Sequence, residues 1–285
     1  MNNFEIELSR CDEEQIQFIA TTQNFGSLLV ADKNRKVIIA ALQEQFRLSS
    51  EEVLGQDVDK LLPAITERVY AALEGRSDPS TPLLIRSMKL DGWVTCIAHR
   101  QDDLTILEIE MVPAEQNDIP SVKFMKERKD SLESYLSYIA ENVRAATGYD
   151  RVMIYQFSPD WHGEVVAESA GLDVQRFYGH HFPASDIPAP ARALFLQNWV
   201  RMIVDVGAEQ LPLQGAGIKL DLTRSVLRAP ANIHLEYLKN MGVAASLTLS
   251  LICDGKLWGL IACHHTTPKY VGAEQRSVLA LVAKV

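Results

Sequence analysis

The sequence has few cysteines and none in a pair. Its 285 residues include four, Cys11, Cys96, Cys253 and Cys263. No two stand in C-x-x-C spacing and no regular spacing links them, so neither a disulfide framework nor a zinc ribbon is indicated. No apolar run approaches the roughly 20 residues of a membrane-spanning helix. The opening MNNFEIELSR is acidic and lacks the apolar core of a signal peptide, so the expected location is cytoplasmic, with no membrane partner. Positive charge is also short. The net charge is −9, which argues against a nucleic-acid backbone partner, since that requires a basic face. There is no Gly-rich phosphate loop, no H-E-x-x-H and no Ser elbow, so no enzymatic activity is expected. What remains is an ordinary globular composition, 47% hydrophobic and 23% charged, at a length expected for about two domains.

The first domain, 1–118, begins with Cys11 among Arg10, Asp12, Glu13 and Glu14. A thiol in that setting is either incidental or available for chemistry. Cys96 and Cys263 lie in apolar, strand-like runs and read as inert core thiols. Ser27–Ala31 and Lys36–Ala40 flank Asp32-Lys33-Asn34-Arg35, a hairpin signal. Ser49-Ser50-Glu51-Glu52 opens a short helix stopped at Gly55. Ala64–Leu73 reads as a second helix. Pro82–Leu90, Trp93–Arg100 and Leu104–Val112 read as strands, with turns at Asp91-Gly92 and Gln101-Asp102-Asp103. Strands, small helices and a meander imply an α+β domain.

The second domain, 119–285, follows a linker at Asn117–Ser121. A long helix is expected over Val122–Thr147, closed by Gly148. Leu132, Tyr135, Leu136, Ile139 and Val143 form its apolar stripe, suited to the core or to dimerisation. Arg151–Phe157, Glu164–Glu168 and a run around Met202–Val206 read as strands. Gly207–Thr223 is an irregular loop of a length that is uncommon unless functional. Pro230–Met241 reads as a helix closed by Gly242, with His234, Tyr237, Leu238 and Met241 on one face. Ala244–Ile252 and Lys256–His265 form a hairpin about Asp254-Gly255. Gly272–Lys284 starts a final helix without a stop signal, so the sequence reads as a fragment ending in or just after it.

The domain is organised around Tyr178–Pro190, YGHHFPASDIPAP. Pro183, Pro188 and Pro190 fix backbone angles and hold Asp186 on a stiff, non-helical segment. The ordinary alternative is that Ser185 or Asp186 merely caps the helix that follows. Strand alternation puts Cys263 and His265 on one face and His264 on the other, which makes a poor metal site.

DRVMIYQF (150–157), GHHFPASDIPAPARALF (179–195), VLRAPANIHLEYLKNMGV (226–243) and LWGLIACHH (257–265), in this order, resemble the GAF domain of phytochromes. LSSEEVLGQDVDKLLP resembles a PAS domain. Cys11 followed by EEQIQ, then Gln23 and Gly26, is similar to the start of bacterial phytochromes. The resemblance covers nearly the whole chain. It implies two α+β domains, PAS and GAF, each an antiparallel sheet with flanking helices and joined by a figure-of-eight knot. It implies a red/far-red photoreceptor holding a linear tetrapyrrole, or bilin. Relatives that attach the bilin within the GAF domain use a Cys just before a His; here Ile233 stands before His234. The resemblance therefore assigns attachment to Cys11 and the bilin to biliverdin IXα. For Cys11 to reach the pocket, the N-terminal segment would thread a loop, here Gly207–Thr223.

The same resemblance assigns roles. Asp186, with Ile187 and Pro188 beside it, would meet the pyrrole nitrogens through its carbonyl. His234 would stack over the inner pyrroles. His264 would donate to the D-ring carbonyl. Tyr155, Phe182 and Tyr237 would wall the D-ring. Arg201 and Arg228 would pair with the propionates, and Ser246 and Thr248 would hydrogen-bond them. Read without the family, His234 is as readily a packed histidine, Arg201 and Arg228 surface charges, Tyr155 and Phe182 core. Three departures stand out. Phe195 replaces a frequent Tyr, Ala231 a frequent Ser, and QIQFIATTQNFG lacks the prolines and histidines usual after the attachment Cys. The resemblance further implies a homodimer through the long and terminal helices, and a downstream PHY domain and output module such as a histidine kinase outside these residues. The competing expectation is a PAS–GAF module for another ligand, such as a cyclic nucleotide or haem.

Overall fold

The computed structural model describes residues 15–74, 83–89, 92–111 and 131–282. Among these, no helix is long and apolar enough to cross a membrane. They divide into two compact units, 17–111 with 208–229, and 131–207 with 230–282. Residues 208–229 group with the first unit.

In the first unit, β1 (Gly26–Ala31) and β2 (Val37–Ala41) form the expected hairpin. The Asp32 carboxylate accepts from the Asn34 and Lys36 amides at 2.9 and 2.8 Å, which folds the turn. Helix α1 (Ser50–Val53) opens with a reciprocal Ser49–Glu52 capping box, as its sequence pattern requires. Helices α2 (Val58–Leu61) and α3 (Pro63–Glu74) follow. Strands β3 (Leu83–Lys89), β4 (Gly92–Gln101) and β5 (Leu104–Met111) complete an antiparallel meander. The sheet runs Gln214–Gly215, β2, β1, β5, β4, β3. The expected turn at Asp91-Gly92 falls partly outside the described residues.

Both faces of this sheet are covered. Val53, Val58, Leu62, Ile65 and Val69 pack on one. Leu220, Leu222, Val226 and Leu227 pack on the other. All six residues of β1 are buried as a result. Period-two alternation in LTILEIEM would send the acids of β5 to solvent, yet Glu108 and Glu110 are both 0% exposed. Glu108 Oε2 accepts from Ser225 Oγ at 2.6 Å and from the Leu227 amide at 2.7 Å. The loop expected over Gly207–Thr223 is thus an anchored excursion. Residues 17–23 run alongside it. Leu222 N donates to Gln17 O at 2.8 Å, Leu213 N to Ala20 O at 3.0 Å, and Gln23 N to Leu227 O at 2.8 Å. Thr21–Thr22 pairs antiparallel with Leu211–Pro212. A Cβ at Gly26 would crowd Leu227 Cδ2 at 2.8 Å and the Ile109 carbonyl at 3.0 Å, so glycine lets the strand pack closely here. Cys96 is fully buried, and burial with Glu108 and Glu110 nearby drives its thiol far up, which makes it inert.

In the second unit, α4 (Leu132–Thr147) is capped by Ser131 and ends at Gly148 with φ +65°. The part of the expected helix over 122–130 lies outside the described residues. Leu136, Ile139 and Val143 are buried as expected, but Leu132 is 65% and Tyr135 37% exposed. The apolar stripe is therefore not buried in the helix's first turn. The chain continues through β6 (Arg151–Phe157), β7 (Gly163–Ala170), α5 (Ala189–Gln197) and β8 (Val200–Ile203). Then come α6 (Asn232–Asn240), β9 (Ala245–Cys253), β10 (Lys256–His265) and α7 (Ala273–Val282). The sheet runs β8, β9, β10, β6, β7, with the short strand His181–Phe182 at its edge. Asp254 and Gly255 turn the β9–β10 hairpin with φ +49° and +73°, the pairing that a primed two-residue turn needs.

Candidate functional site

The antiparallel register of the second sheet gathers residues from distant parts of the chain. Arg201 pairs with Thr248, and Ile203 with Ser246. Ser246 pairs with His264, and Thr248 with Ala262. His264 then pairs with Arg151, Ala262 with Met153, and Leu260 with Tyr155. Directly opposed residues of antiparallel strands share a face. One face therefore carries Arg201, Ser246, Thr248, His264, Arg151 and Tyr155. Cys263 and His265 fall on the other face, as alternation predicts. Cys263 is fully buried there, and His265 Nδ1 stands 2.9 Å from the Asp150 carboxylate. Among the described residues, no group of three or more His, Cys, Asp or Glu is arranged to hold a metal.

The PASDIP segment lies against this face. Ala184–Asp186 form a 3-10 turn led by Pro183. Helix α5 starts later, with Pro188 as its N-cap and no side-chain cap bond. Neither Ser185 nor Asp186 caps the helix. The Asp186 carboxylate instead accepts from the Tyr237 hydroxyl at 3.1 Å. Arg192 braces the turn from the helix: Nη1 donates to the carbonyls of Ala184 at 3.3 Å and Ile187 at 2.6 Å. Its guanidinium also covers Trp161, 4.7 Å from the ring centre. His234 lies on the exposed side of α6, its ring stacked on Tyr237 at 6.2 Å and 12°. Ala231 is the N-cap of α6, and no side chain caps that helix.

Apolar groups fill the space between. Met153, Tyr155, Phe157, Val165, Phe177, Leu257 and Leu260 form one cluster, with Phe182, Ile187, Phe195 and Met241 packed on it. The Tyr155 and Phe182 rings stand 6.0 Å apart. A Cβ at Gly163 would fall within the Tyr155 ring, so this glycine makes room for it. Tyr155 is 7% exposed, and its hydroxyl has no hydrogen-bond partner among the described residues.

Burial controls the ionisation of this site. It raises Asp186 above the usual carboxylate range, opposed by the bond from Tyr237. It pushes Tyr155 up to about 12, with the Asp186 charge adding to the effect. Burial, then Asp186, drives Tyr237 up as well. Burial, Arg151 and His234 push His264 down to about 3. At neutral pH the Tyr155 and Tyr237 phenols and the His264 imidazole are therefore neutral.

The structure brings Asp186, Ile187, Pro188, Phe182, Tyr155, Tyr237, His234, His264, Arg201, Ser246 and Thr248 into the second unit. Arg228 belongs to the first unit, 7% exposed, where burial lowers it to about 10 against the pull of Asp221. Cys11 lies outside the described residues. Sequence reasoning missed Arg151 and Arg192. Arg151 shares the alternation of Met153 and Tyr155, a usable signal; its meeting with His264 needed the register. A cavity of about 460 Å³ in the first unit is lined by Arg35, Asp59, Glu67, Tyr70 and Glu74. Its charged walls do not suit an extended apolar ligand.

The GAF domain family matches residues 131–285, and the PAS fold family residues 11–112. The chain is 34% identical to cyanobacterial phytochrome B of Nostoc sp. over 99% of its own length. It is 33% identical to the bacteriophytochrome of Pseudomonas aeruginosa over 98%. It spans 40% of the length of each of these relatives. Among solved structures, the chromophore-binding domain of Stigmatella aurantiaca phytochrome P1 superposes with a TM-score of 0.85 at 33% identity, covering 96% of each chain. With a GAF domain over more than half its length, a PAS fold before it and this structural match, the chain belongs to the phytochrome photoreceptor family.

Proposed function

We propose that this chain is the light-sensing part of a bacterial phytochrome and that it binds biliverdin IXα, attached through Cys11. The observation that carries the reading is the shared sheet face. Arg201, Ser246, Thr248, His264 and Tyr155 stand there beside the Asp186–Tyr237 pair, around an apolar cluster. Apolar walls with a few placed polar groups suit a long conjugated ligand. The buried Tyr155 hydroxyl without a partner is a group that such a ligand would satisfy.

When bound, the bilin supplies red-light absorption and Z/E isomerisation at its D-ring. The protein does the rest. The Asp186 carboxylate favours a protonated pyrrole system, while Arg192 holds its turn still. His264 donates to the D-ring carbonyl. Tyr155, Phe182 and Tyr237 limit how the D-ring turns. Arg201, Ser246 and Thr248 take a propionate. Phe195 and Ala231 lack the hydroxyls of their frequent counterparts, so the propionate network is thinner here.

Cys11 would hold the group covalently: its thiol would add across a vinyl group of the bilin, trading the S–H bond and the vinyl π bond for a C–S bond and a C–H bond, with no oxidant needed. Ile233 leaves no thiol at the alternative position. The bonds between 17–23 and the 208–229 excursion support a threaded N-terminal segment. A cytoplasmic location, a homodimer, and a following PHY domain and output module complete the proposal. A zinc-stained denaturing gel tests the attachment. Bilin fluorescence is expected in wild type and absent in Cys11→Ser. Fluorescence retained in that variant would refute the site.

A further inference from the structure

Arg151 opens β6 and is 3% exposed, and none of the roles above uses it. Three partners fix its guanidinium. Nη1 donates to the Gln175 carbonyl at 2.5 Å. The Phe177 ring centre lies 4.2 Å from the guanidinium carbon. Nη2 stands 2.9 Å from Nδ1 of His264. Phe177 is tied down in turn, because the Glu168 carboxylate accepts from the amides of Phe177 and Tyr178 at 2.9 and 3.3 Å.

A guanidinium donates hydrogen bonds and cannot accept them, and it keeps its charge in proteins. An imidazole nitrogen 2.9 Å from Nη2 must therefore be the acceptor. We infer that Arg151 is a positioning residue that locks neutral His264 in the Nε2–H tautomer, so that His264 meets its pocket as a fixed hydrogen-bond donor. What Nε2 donates to rests on the proposed bilin site; the tautomer is a property of the chain alone.

The surroundings agree. His264 faces Arg151 on β6 and His234 on α6, while Ser246 opposite it on β9 carries no charge. Burial lowers Arg151, and Glu168 on β7 and Asp150 ahead of β6 oppose that shift and favour its charged form. Burial, then Arg151 and His234, oppose a second proton on His264. The donor therefore persists across the range, about pH 5 to pH 8, in which an ordinary histidine changes charge.

The test is a set of ¹⁵N-histidine spectra of the chain before bilin is added, with His264 assigned by its loss in His264→Gln. Wild type is expected to keep its proton on Nε2 throughout that pH range. In Arg151→Met, where burial still keeps the ring neutral, the proton should spread over both nitrogens. Arg151→Lys, which restores a charged donor, should restore Nε2–H. A wild-type proton on Nδ1, or an Arg151→Met spectrum identical to wild type, overturns the inference. If Arg151→Met does not fold, wild type and Arg151→Lys still decide it, since Nδ1–H in either contradicts the lock. After loading with biliverdin IXα, the absorption maximum of Arg151→Met should differ from that of wild type, because the donor facing the bilin is no longer fixed; an identical maximum counts against the lock. If no variant takes up biliverdin, the proposed function fails, and the tautomer is still decided by the spectra of the unloaded chain.

Discussion

Asp186 and Tyr237 set each other's ionisation. The Tyr237 hydroxyl is the one effect that opposes burial in holding Asp186 ionised. Tyr237→Phe is expected to raise the Asp186 pKa further, read by carboxyl ¹³C shifts during titration; an unchanged value would mean the bond at 3.1 Å does not form. Acid stability follows from two other residues. His264 and His99, lowered to about 3 and about 4, are held neutral by burial, whereas in the unfolded chain a histidine takes a proton at about pH 6.5. Between those values the unfolded state binds more protons, so stability falls as pH drops below about 6.5. Asp186, raised, works in the opposite sense and favours the fold at the acid end. Urea midpoints at neutral pH and about two pH units lower should show a net fall; a flat profile would contradict the two depressed histidines. Residue identities were readable in the sequence wherever chemistry was local. The proline-fixed Asp186 turn is one such case, and the face alternation of His264 is another. Arg151 was not readable, because its partner lies 113 positions away and only strand register joins them.

The hairpins, the Ser49–Glu52 capping box and the Gly148 stop form where the sequence pattern places them, since each depends on neighbours in sequence. Strand β5 behaves otherwise. Its alternation describes a sheet with one wet face, but the 208–229 excursion covers that face and takes Glu108 out of water. No local signal in LTILEIEM carries that cover. Glu108→Ala should leave Ser225 Oγ and the Leu227 amide unpaired and cost about 3 kcal/mol by denaturant unfolding. Glu108→Gln, which keeps an acceptor, should cost less. A loss under about 0.5 kcal/mol in Glu108→Ala would mean the excursion is held by apolar packing alone. Helix α6 offers a gain. Ala231 heads it without a side-chain cap, so Ala231→Ser should stabilise the chain by about 1 kcal/mol in the same assay. No gain would place the helix start elsewhere.

At the scale of the molecule, the sequence reads as two consecutive domains, but the fold assigns 208–229 to the first of two compact units. Long-range exchange of this kind has no local sequence signature. Here it runs beside residues 17–23, the segment that carries the chain on from Cys11. The central claim is that the second unit holds a bilin and responds to light. It is tested most directly by the absorption spectrum of the purified chain mixed with biliverdin IXα, before and after red light. A red-absorbing band that shifts or bleaches on illumination is the predicted result. A spectrum no different from free biliverdin would contradict the account.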